Sequence, residues 1–333
     1  MSGIARVLVG DGTGRVFDEL TPGLEPLSWV LNGIGRTKIT LARSDPKATA
    51  DHLAIGNRVY VEFANGLPPW GGVMDLPRRF SPDSITVSCY GIEHLLRYRL
   101  TRRTDAFYER PAGAIFAELI SRVSDLGITL GQVWGGGRPH WPRYHYKSLW
   151  YVCEHSLRRI ERCDFRFIPY LDSGHIRFRA EFYERAGANR TAEVMLAEGA
   201  NVEASAHIEE QGEIVNRHYA AGDGTTWGPE RLVVVAQDSD SLGYYGLRET
   251  AEVYPGVSQQ ATLELHARNA IITNAQPRRL FQVTALNAEP APFALYDIGD
   301  TVRLELPSFG FTPYSGRVRI LAREFDPNNG VCR

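Results

Sequence analysis

The stretch that decides the fold is Ile55-Gly56-Asn57-Arg58-Val59-Tyr60-Val61-Glu62-Phe63, which returns 243 residues later as Ile298-Gly299-Asp300-Thr301-Val302-Arg303-Leu304-Glu305-Leu306. Each copy places a Gly-Asn or Gly-Asp turn before a run with apolar residues at every second position. Such alternation is typical of a half-buried strand, because successive side chains of a strand point to opposite faces. The two copies therefore predict two similar turn–strand units.

Two further blocks repeat in the same order. Pro69-Trp70-Gly71-Gly72-Val73 corresponds to Pro313-Tyr314-Ser315-Gly316-Arg317, and Arg79-Phe80-Ser81-Pro82 corresponds to Glu324-Phe325-Asp326-Pro327. Single hairpins resemble one another, because Gly-Asp turns are common. Three blocks in one order with nearly constant spacing instead favour an internal duplication. We therefore predict two related β modules, one near each end of the chain.

The sequence around these blocks supports a mainly β fold. Residues 4–9 and 15–20 flank an Asp11-Gly12-Thr13-Gly14 turn, and further short strand patterns lie between Gly/Pro turns up to residue 89. Many short strands separated by such turns favour a barrel or a sandwich. We predict a mainly β protein with an α+β insert and two related tube-type β-barrel modules.

Helical patterns appear in the middle and near the end of the chain. We expect a helix that begins at Pro111 and stops before Gly127, a second one over about 148–163, and a hairpin over 164–182. A third helix is expected at about 258–274, with Ser258 as its cap. The predicted domains are 1–104 for the first β-barrel module, 105–200 for an α+β outer domain, and 201–333 for the second β-barrel module with that third helix.

Composition argues against stable binding of nucleic acid. The formal net charge is −2, whereas phosphate-binding proteins normally carry a basic excess. Of the 37 basic residues only Lys38, Lys47 and Lys147 are lysines. Arginine suits ion pairs at protein interfaces, although a GC-rich coding sequence produces the same bias. No apolar stretch reaches the length of a membrane span, and no signal peptide is expected.

No residue is predicted to be catalytic, to bind a cofactor or to ligate a metal. Pro139 and Pro142 exclude a regular helix around His140 and His145, so the five-position spacing of these histidines does not predict a metal site. Gly135-Gly136-Gly137 lacks the Lys-Ser/Thr of a phosphate loop. Asp11-Gly12-Thr13-Gly14 and Asp223-Gly224-Thr225-Thr226 indicate turns rather than an aspartic dyad. The sequence alone does not exclude a glycosidase pair of carboxylates.

Two further features have structural interpretations. Cys89, Cys153, Cys163 and Cys332 lack C-x-x-C spacing and are predicted to be small buried residues in a reducing compartment. The aromatic loop 134–146 either packs over the α+β insert or contacts a partner protein or a host glycan, because Trp and Tyr are enriched at interfaces.

The sequence resembles the hub proteins of phage tail tips and baseplates. The similarity begins at Gly56-Asn57 and Pro69–Val73, and continues through Ile85–Leu96, where Gly91-Ile92-Glu93-His94-Leu95-Leu96 is similar to a G-x-E-x-L-L step. Ser241–Glu249 is similar to the family's S-I-x-x-Y-G-x-R-E segment. The resemblance implies a trimeric hub with two tube-forming barrels. Members with an appended peptidase continue beyond the second barrel, so enzymatic activity is not expected here.

The resemblance also implies partners and a location. We expect a homotrimer in the virion tail tip, joining the six-fold tail tube to a three-fold central fibre or spike while DNA passes in transit. The expected partners are a distal tail or tail tube protein, a tape-measure protein and the fibre or spike, without membrane insertion or cofactors. Two alternatives stay open: an envelope-directed hydrolase or carbohydrate-binding tail protein, and the hub of a contractile injection or secretion machine.

Overall fold

A computed structural model describes residues 3–203, 207–223, 231–254, 257–307 and 313–333. The strands, in chain order, are β1 Ile4–Gly10, β2 Val16–Leu20, β3 Gly23–Leu24, β4 Leu27–Val30, β5 Arg36–Ala42, β6 Arg58–Phe63, β7 Trp70–Phe80, β8 Ser84–Tyr90, β9 Asp105–Ala106, β10 Ile128–Val133, β11 Arg143–Tyr144, β12 Asp164–Asp172, β13 His175–Tyr183, β14 Met195–Ala197, β15 His207–Gln211, β16 Arg217–Ala221, β17 Val233–Gln237, β18 Glu249–Val253, β19 Arg278–Gln282, β20 Ala285–Leu286, β21 Thr301–Leu306, β22 Tyr314–Arg319, β23 Ala322–Asp326 and β24 Val331–Cys332.

The helices are short and lie mostly in the middle of the chain. The α-helices are α1 Ala112–Ser121, α2 Leu149–Tyr151, α3 Arg158–Glu161, α4 Ser239–Tyr245 and α5 Gln260–Asn274. Segments of 3-10 helix cover Ile92–Tyr98, Ser124–Leu126 and Phe293–Leu295. A π-helical stretch, Val152–Leu157, joins α2 to α3. None of the helices in the described ranges has the length and apolar character needed to cross a bilayer.

The N-terminal module is one antiparallel sheet of seven strands in the order β2-β1-β6-β7-β8-β5-β3. Val59 and Val61 of β6 lie in the core, as the alternation predicts, but Arg58 and Tyr60 on the opposite face are buried as well because the α+β region packs there, so the strand is not half-buried. The edge strands β2 and β3 are separated only by Thr21 and Pro22, yet no ladder between them is found in the described residues. The sheet is therefore curved back toward itself, but closure into a hydrogen-bonded barrel is not observed.

The two ends of the chain share one sheet and one hydrophobic core. Strand β4 is not part of the seven-stranded sheet. It pairs antiparallel with β23, which places Leu27 opposite Phe325. Phe63 meets the Phe325 ring edge-on at 5.6 Å between centroids. A single buried cluster contains residues of both ends, among them Val59 and Val302. Burial of this shared apolar surface stabilises the two ends against each other.

The α+β region has its own core next to the first sheet. Strands β10, β13 and β12 form a three-stranded sheet, in which β10 runs parallel to β13, and α1 packs on it. Ile115, Phe116 and Leu119 of α1 are fully buried, as the predicted apolar face requires. Helix α1 ends at Ser121, earlier than the predicted stop. A 3-10 turn over Ser124–Leu126 follows it, and Gly127, with a φ of +74°, ends that turn.

The C-terminal region contains two kinds of substructure. Strands β14, β21 and β22 form one sheet and β15 pairs with β19, while β17, β16 and β18 form a separate small sheet covered by α5. The third predicted helix is present as α5, preceded by Gln259 rather than capped by Ser258. The mainly β fold class with an α+β insert is thus confirmed. The domain boundaries 1–104, 105–200 and 201–333 stay a prediction.

Candidate assembly interface

The first repeated block has the same backbone geometry in both modules. Gly56 and Gly299 each have a φ of +95°, a region that only glycine enters at little cost. Gly56 donates its N–H to the Met74 carbonyl at 2.9 Å, and Gly299 donates to the Ile320 carbonyl at 2.7 Å. This block is therefore repeated in structure as well as in sequence, whereas in the third block Phe80 is exposed on β7 and its counterpart Phe325 is buried in β23.

The residue after each glycine completes the match. Asn57 donates its N–H three residues back to the Ala54 carbonyl, and Asp300 donates to the Asp297 carbonyl, both at 3.2 Å. Each in turn accepts at its own carbonyl the N–H of the opposite strand's residue, Met74 or Ile320. Both side chains are buried. Each module thus presents the same turn followed by the same antiparallel ladder.

A buried carboxylate, that of Asp164, joins the two ends of the chain to the α+β region. It accepts hydrogen bonds from Asn32 Nδ2 at 2.7 Å and from the N–H of Ala186 at 2.9 Å. Arg319 Nη2 donates to it at 2.5 Å and neutralises its charge. Buried charges are tolerated when paired and hydrogen-bonded in this way. The Arg319–Asp164 ion pair fixes the position of β22 relative to the α+β region.

An apolar cleft of about 1000 Å³ opens in the C-terminal region between β19, β22 and β23. Its walls combine an apolar surface with a basic rim. The apolar surface includes Leu196, Phe281, Val283, Val318 and Ile320, and the rim includes Arg278, Arg279 and Arg317. Apolar surface bordered by polar side chains is typical of protein contacts.

Strand edges without partners border this cleft. Strand β22 pairs only with β21, and β19 pairs only with β15, among the residues that the structure describes. Such edges carry backbone N–H and C=O groups that can pair with another strand. The cleft can therefore bind apolar side chains or an added strand; it holds no cluster of three metal-ligating side chains in the described ranges.

The structure separates His140 from His145. His140 is fully buried and its Nε2 lies 2.8 Å from Glu161 Oε1, whereas His145 is exposed and its Nδ1 lies 2.5 Å from the Arg103 carbonyl. Asp11 forms the predicted turn, accepting the N–H of Thr13 at 2.8 Å. Residues 224–226 of the second Asp-Gly-Thr stretch lie outside the described residues.

The aromatic loop 134–146 packs in part over the α+β insert, as one of its two interpretations predicts; the contact with a partner stays a prediction. Trp134 packs against the core of the insert and Tyr144 is buried, its hydroxyl 2.6 Å from Ser156 Oγ. Tyr146, two residues further on, is 63% exposed. Trp134 and Tyr144 thus have a structural role, whereas the Tyr146 side chain is exposed to solvent.

The four cysteines are free and buried, as predicted. Burial raises the pKa of each thiol, to about 12 for Cys153, so they are poor nucleophiles. Sequence reasoning missed two titratable groups. Burial raises the pKa of Glu93 to about 8 and lowers that of His266 to about 4. The available sequence signal for a buried Glu93 was its position between the apolar residues Ile92 and Leu95-Leu96.

Solved structures share this fold over nearly the whole chain. The 43 kDa tail protein of prophage MuSo2 from Shewanella oneidensis aligns with 98% of this chain and 96% of its own, at a TM-score of 0.64 and 14% identity. A tail protein from Neisseria meningitidis MC58 aligns with 98% of this chain and 94% of its own, at a TM-score of 0.64 and 12% identity.

A third structure extends the likeness to secretion machines. The E. coli c3393 protein, a type VI secretion component described as similar to T4 tail proteins gp27 and gp5, aligns with 92% of this chain and 71% of its own. Its TM-score is 0.50, with 12% identity. No protein-family model and no curated protein sequence matches the chain. At these identities the likeness concerns the fold, and this chain has the fold of phage tail proteins.

Proposed function

We propose that this chain is a structural, non-enzymatic hub of a phage tail tip. In this proposal it forms a ring that joins the six-fold tail tube to a three-fold central fibre or spike and lets DNA pass. The observation that carries the proposal is the matched geometry of the Gly56 and Gly299 turns within one chain. The tail-protein fold over 98% of the chain supports it.

Symmetry explains why a duplicated chain suits this task. Homo-oligomers prefer closed point-group symmetry. Three copies of a chain with two similar modules present six similar surfaces around one axis, while the unrepeated parts keep three-fold symmetry. One ring can then match a six-fold tube on one side and a three-fold partner on the other.

The shared core bears on how such a ring is built. Because β4 pairs with β23 and Phe63 packs on Phe325, the two modules of one chain are fixed as a rigid pair. Half of the module contacts in the ring are then made within chains, before assembly. The remaining contacts form between copies. The unpaired edges of β19 and β22 and the apolar cleft are surfaces that can make them.

The oligomeric mass in solution tests the proposal. Native mass spectrometry or light scattering of the purified chain, alone and with the tail tube protein of the same phage, is expected to show three copies per complex. A chain that stays monomeric with and without the tube protein, or that cleaves or binds envelope glycans as a monomer, would overturn it.

A further inference from the structure

A surface ribbon on the α+β region is formed by two segments that run antiparallel, residues 97–110 and 140–149. Leu100 bridges to Ser148, and the N–H of Thr101 donates to the Lys147 carbonyl at 2.8 Å. Strand β9 pairs with β11, and Arg110 bridges to His140 at the far end. The backbone of the ribbon is thus held along its length, and its side chains project from a fixed frame.

The ribbon carries exposed cations that lack acidic partners. At its margins Arg99 pairs with Asp125 and Arg110 pairs with Glu118. Five other exposed basic side chains form no ion pair with a carboxylate in the part of the chain that the structure describes: Arg97, Arg102, Arg103, Arg143 and Lys147. The acidic residues of the ribbon are Asp105, which pairs with Arg122, and the exposed Glu109, so cations are in excess on the ribbon although the net charge of the chain is −2.

Large aromatic side chains lie on the same ribbon. Tyr98, Tyr108 and Tyr146 are 67%, 62% and 63% exposed. Tyrosine and arginine are the residues most enriched among those that dominate protein–protein binding energy, because each combines a large contact area with directed hydrogen bonds. Exposed tyrosine rings and guanidinium groups without carboxylate partners on one ribbon therefore favour a protein partner that supplies carboxylates.

The longest stretch of this chain without Lys or Arg does not provide the uninterrupted acidic face that the ribbon needs. This stretch, residues 191–216, carries several glutamates, but there Glu210 pairs with Arg279, and Glu209 lines the same cleft as Arg278 and Arg317. A basic rim beside those carboxylates opposes the approach of another basic surface. A different protein with an uninterrupted acidic face is the better complement, and a second copy of this chain is one outcome that the cross-linking test distinguishes.

We propose that the ribbon of residues 97–110 and 140–149 is the docking surface for a second tail protein that presents an acidic face. This inference rests on the proposed placement of the chain in a tail. Electrostatic attraction between such faces speeds association and weakens as salt screens it.

The rarity of lysine makes a direct test possible. A carbodiimide joins an amine to a carboxylate in contact with it without inserting atoms, and the chain has three lysines. Lys38 lies 2.7 Å from Glu25 and Lys47 lies 2.7 Å from Asp18, so these two should yield links within the chain. Lys147 has no carboxylate within ion-pair distance among the described residues.

Purified tails are therefore treated with carbodiimide, digested and analysed by mass spectrometry. The expected result is a Lys147 link to an Asp or Glu of a different tail protein, beside the Lys38–Glu25 and Lys47–Asp18 links as internal controls. If the control links form while Lys147 is unlinked, or is linked to this same chain, the docking inference is wrong and the tail placement stands. Tails that lack the chain overturn the placement and the inference together.

A second experiment tests the docking surface by reversing charges on the ribbon. Arg102→Glu with Arg103→Glu is expected to lower incorporation into tails about tenfold, while Arg79→Glu with Arg268→Glu changes net charge equally at exposed sites elsewhere and should leave incorporation unchanged. Circular dichroism melting confirms that both variants fold. Equal incorporation of the two folded variants would contradict the docking surface.

Discussion

Gly56 and Gly299 adopt the same left-handed backbone conformation and donate the same hydrogen bond across their modules, although 243 residues separate them. Their surroundings differ. A Cβ built on Gly56 meets nothing within 4 Å, whereas one on Gly299 lies 2.9 Å from the Ala186 carbonyl oxygen. Substitutions at the two positions therefore measure separately the free-energy cost of the left-handed backbone conformation and the cost of a clash with Ala186.

Substitution of these glycines by alanine is expected to destabilise unequally. Gly56→Ala adds only conformational strain and should lower the free energy of unfolding by about 1 kcal/mol. Gly299→Ala adds a clash with backbone atoms and should lower it by about 3 kcal/mol. Urea unfolding followed by fluorescence measures both. Equal losses would show that the Gly299–Ala186 approach contributes nothing.

Removing the Asp164 charge is expected to loosen the junction of the three regions. Asp164→Asn leaves Arg319 without its anion in a largely buried site, which should cost about 3 kcal/mol of unfolding free energy. Asp172→Asn, at the exposed β12–β13 turn, is the matched control and should change it by less than about 0.5 kcal/mol. Chemical denaturation distinguishes them, and a loss no larger than the control's would refute the role of Asp164.

Local sequence patterns predicted individual elements well, because each depends on nearby residues. The alternation over residues 57–63 predicted β6, and the Pro111 start with its apolar face predicted α1. The pairing of β4 with β23 was not predictable in this way. An apolar run of four residues does not specify which of many distant strands it joins, since that choice depends on the packing of the whole core.

The candidate surfaces were less predictable than the elements, for the same reason. The cleft takes its walls from strands far apart in sequence, and the ribbon depends on a bridge between Arg110 and His140. Within the aromatic loop, only the fold decides that Tyr144 is buried and Tyr146 exposed. Composition indicated interfaces in general without locating one.

Stability is expected to fall as the pH rises from 4.5 to about 8 because of Glu93. Burial raises its pKa from 4.5 to about 8, so the folded state holds a proton that the unfolded state releases. This contribution to stability is complete below pH 4.5 and decreases as the pH rises to about 8. Glu93→Gln should match the wild type at pH 4 and exceed it at pH 9 in urea unfolding. A wild type that is no less stable than the variant at pH 9 would contradict a protonated Glu93.

Stability is also expected to fall in mild acid because of His266. Burial, followed by the nearby His140, His218 and Arg159, lowers its pKa from 6.5 to about 4. The unfolded state therefore binds the proton first, and the contribution is complete above pH 6.5 and lost as the pH falls toward 4. Melting temperatures between pH 7.5 and 4.5 should decline less steeply for His266→Gln. His145→Gln, at an exposed position, should follow the wild-type slope.

The ring is tested most directly by electron cryo-microscopy of the intact tail, reconstructed without imposed symmetry. We expect three copies of the chain at the distal end of the tube, with the Gly56 and Gly299 turns alternating at equal radius around a six-fold ring of modules. A map that places the chain elsewhere in the virion, or that puts the two turns at different radii, would contradict the account.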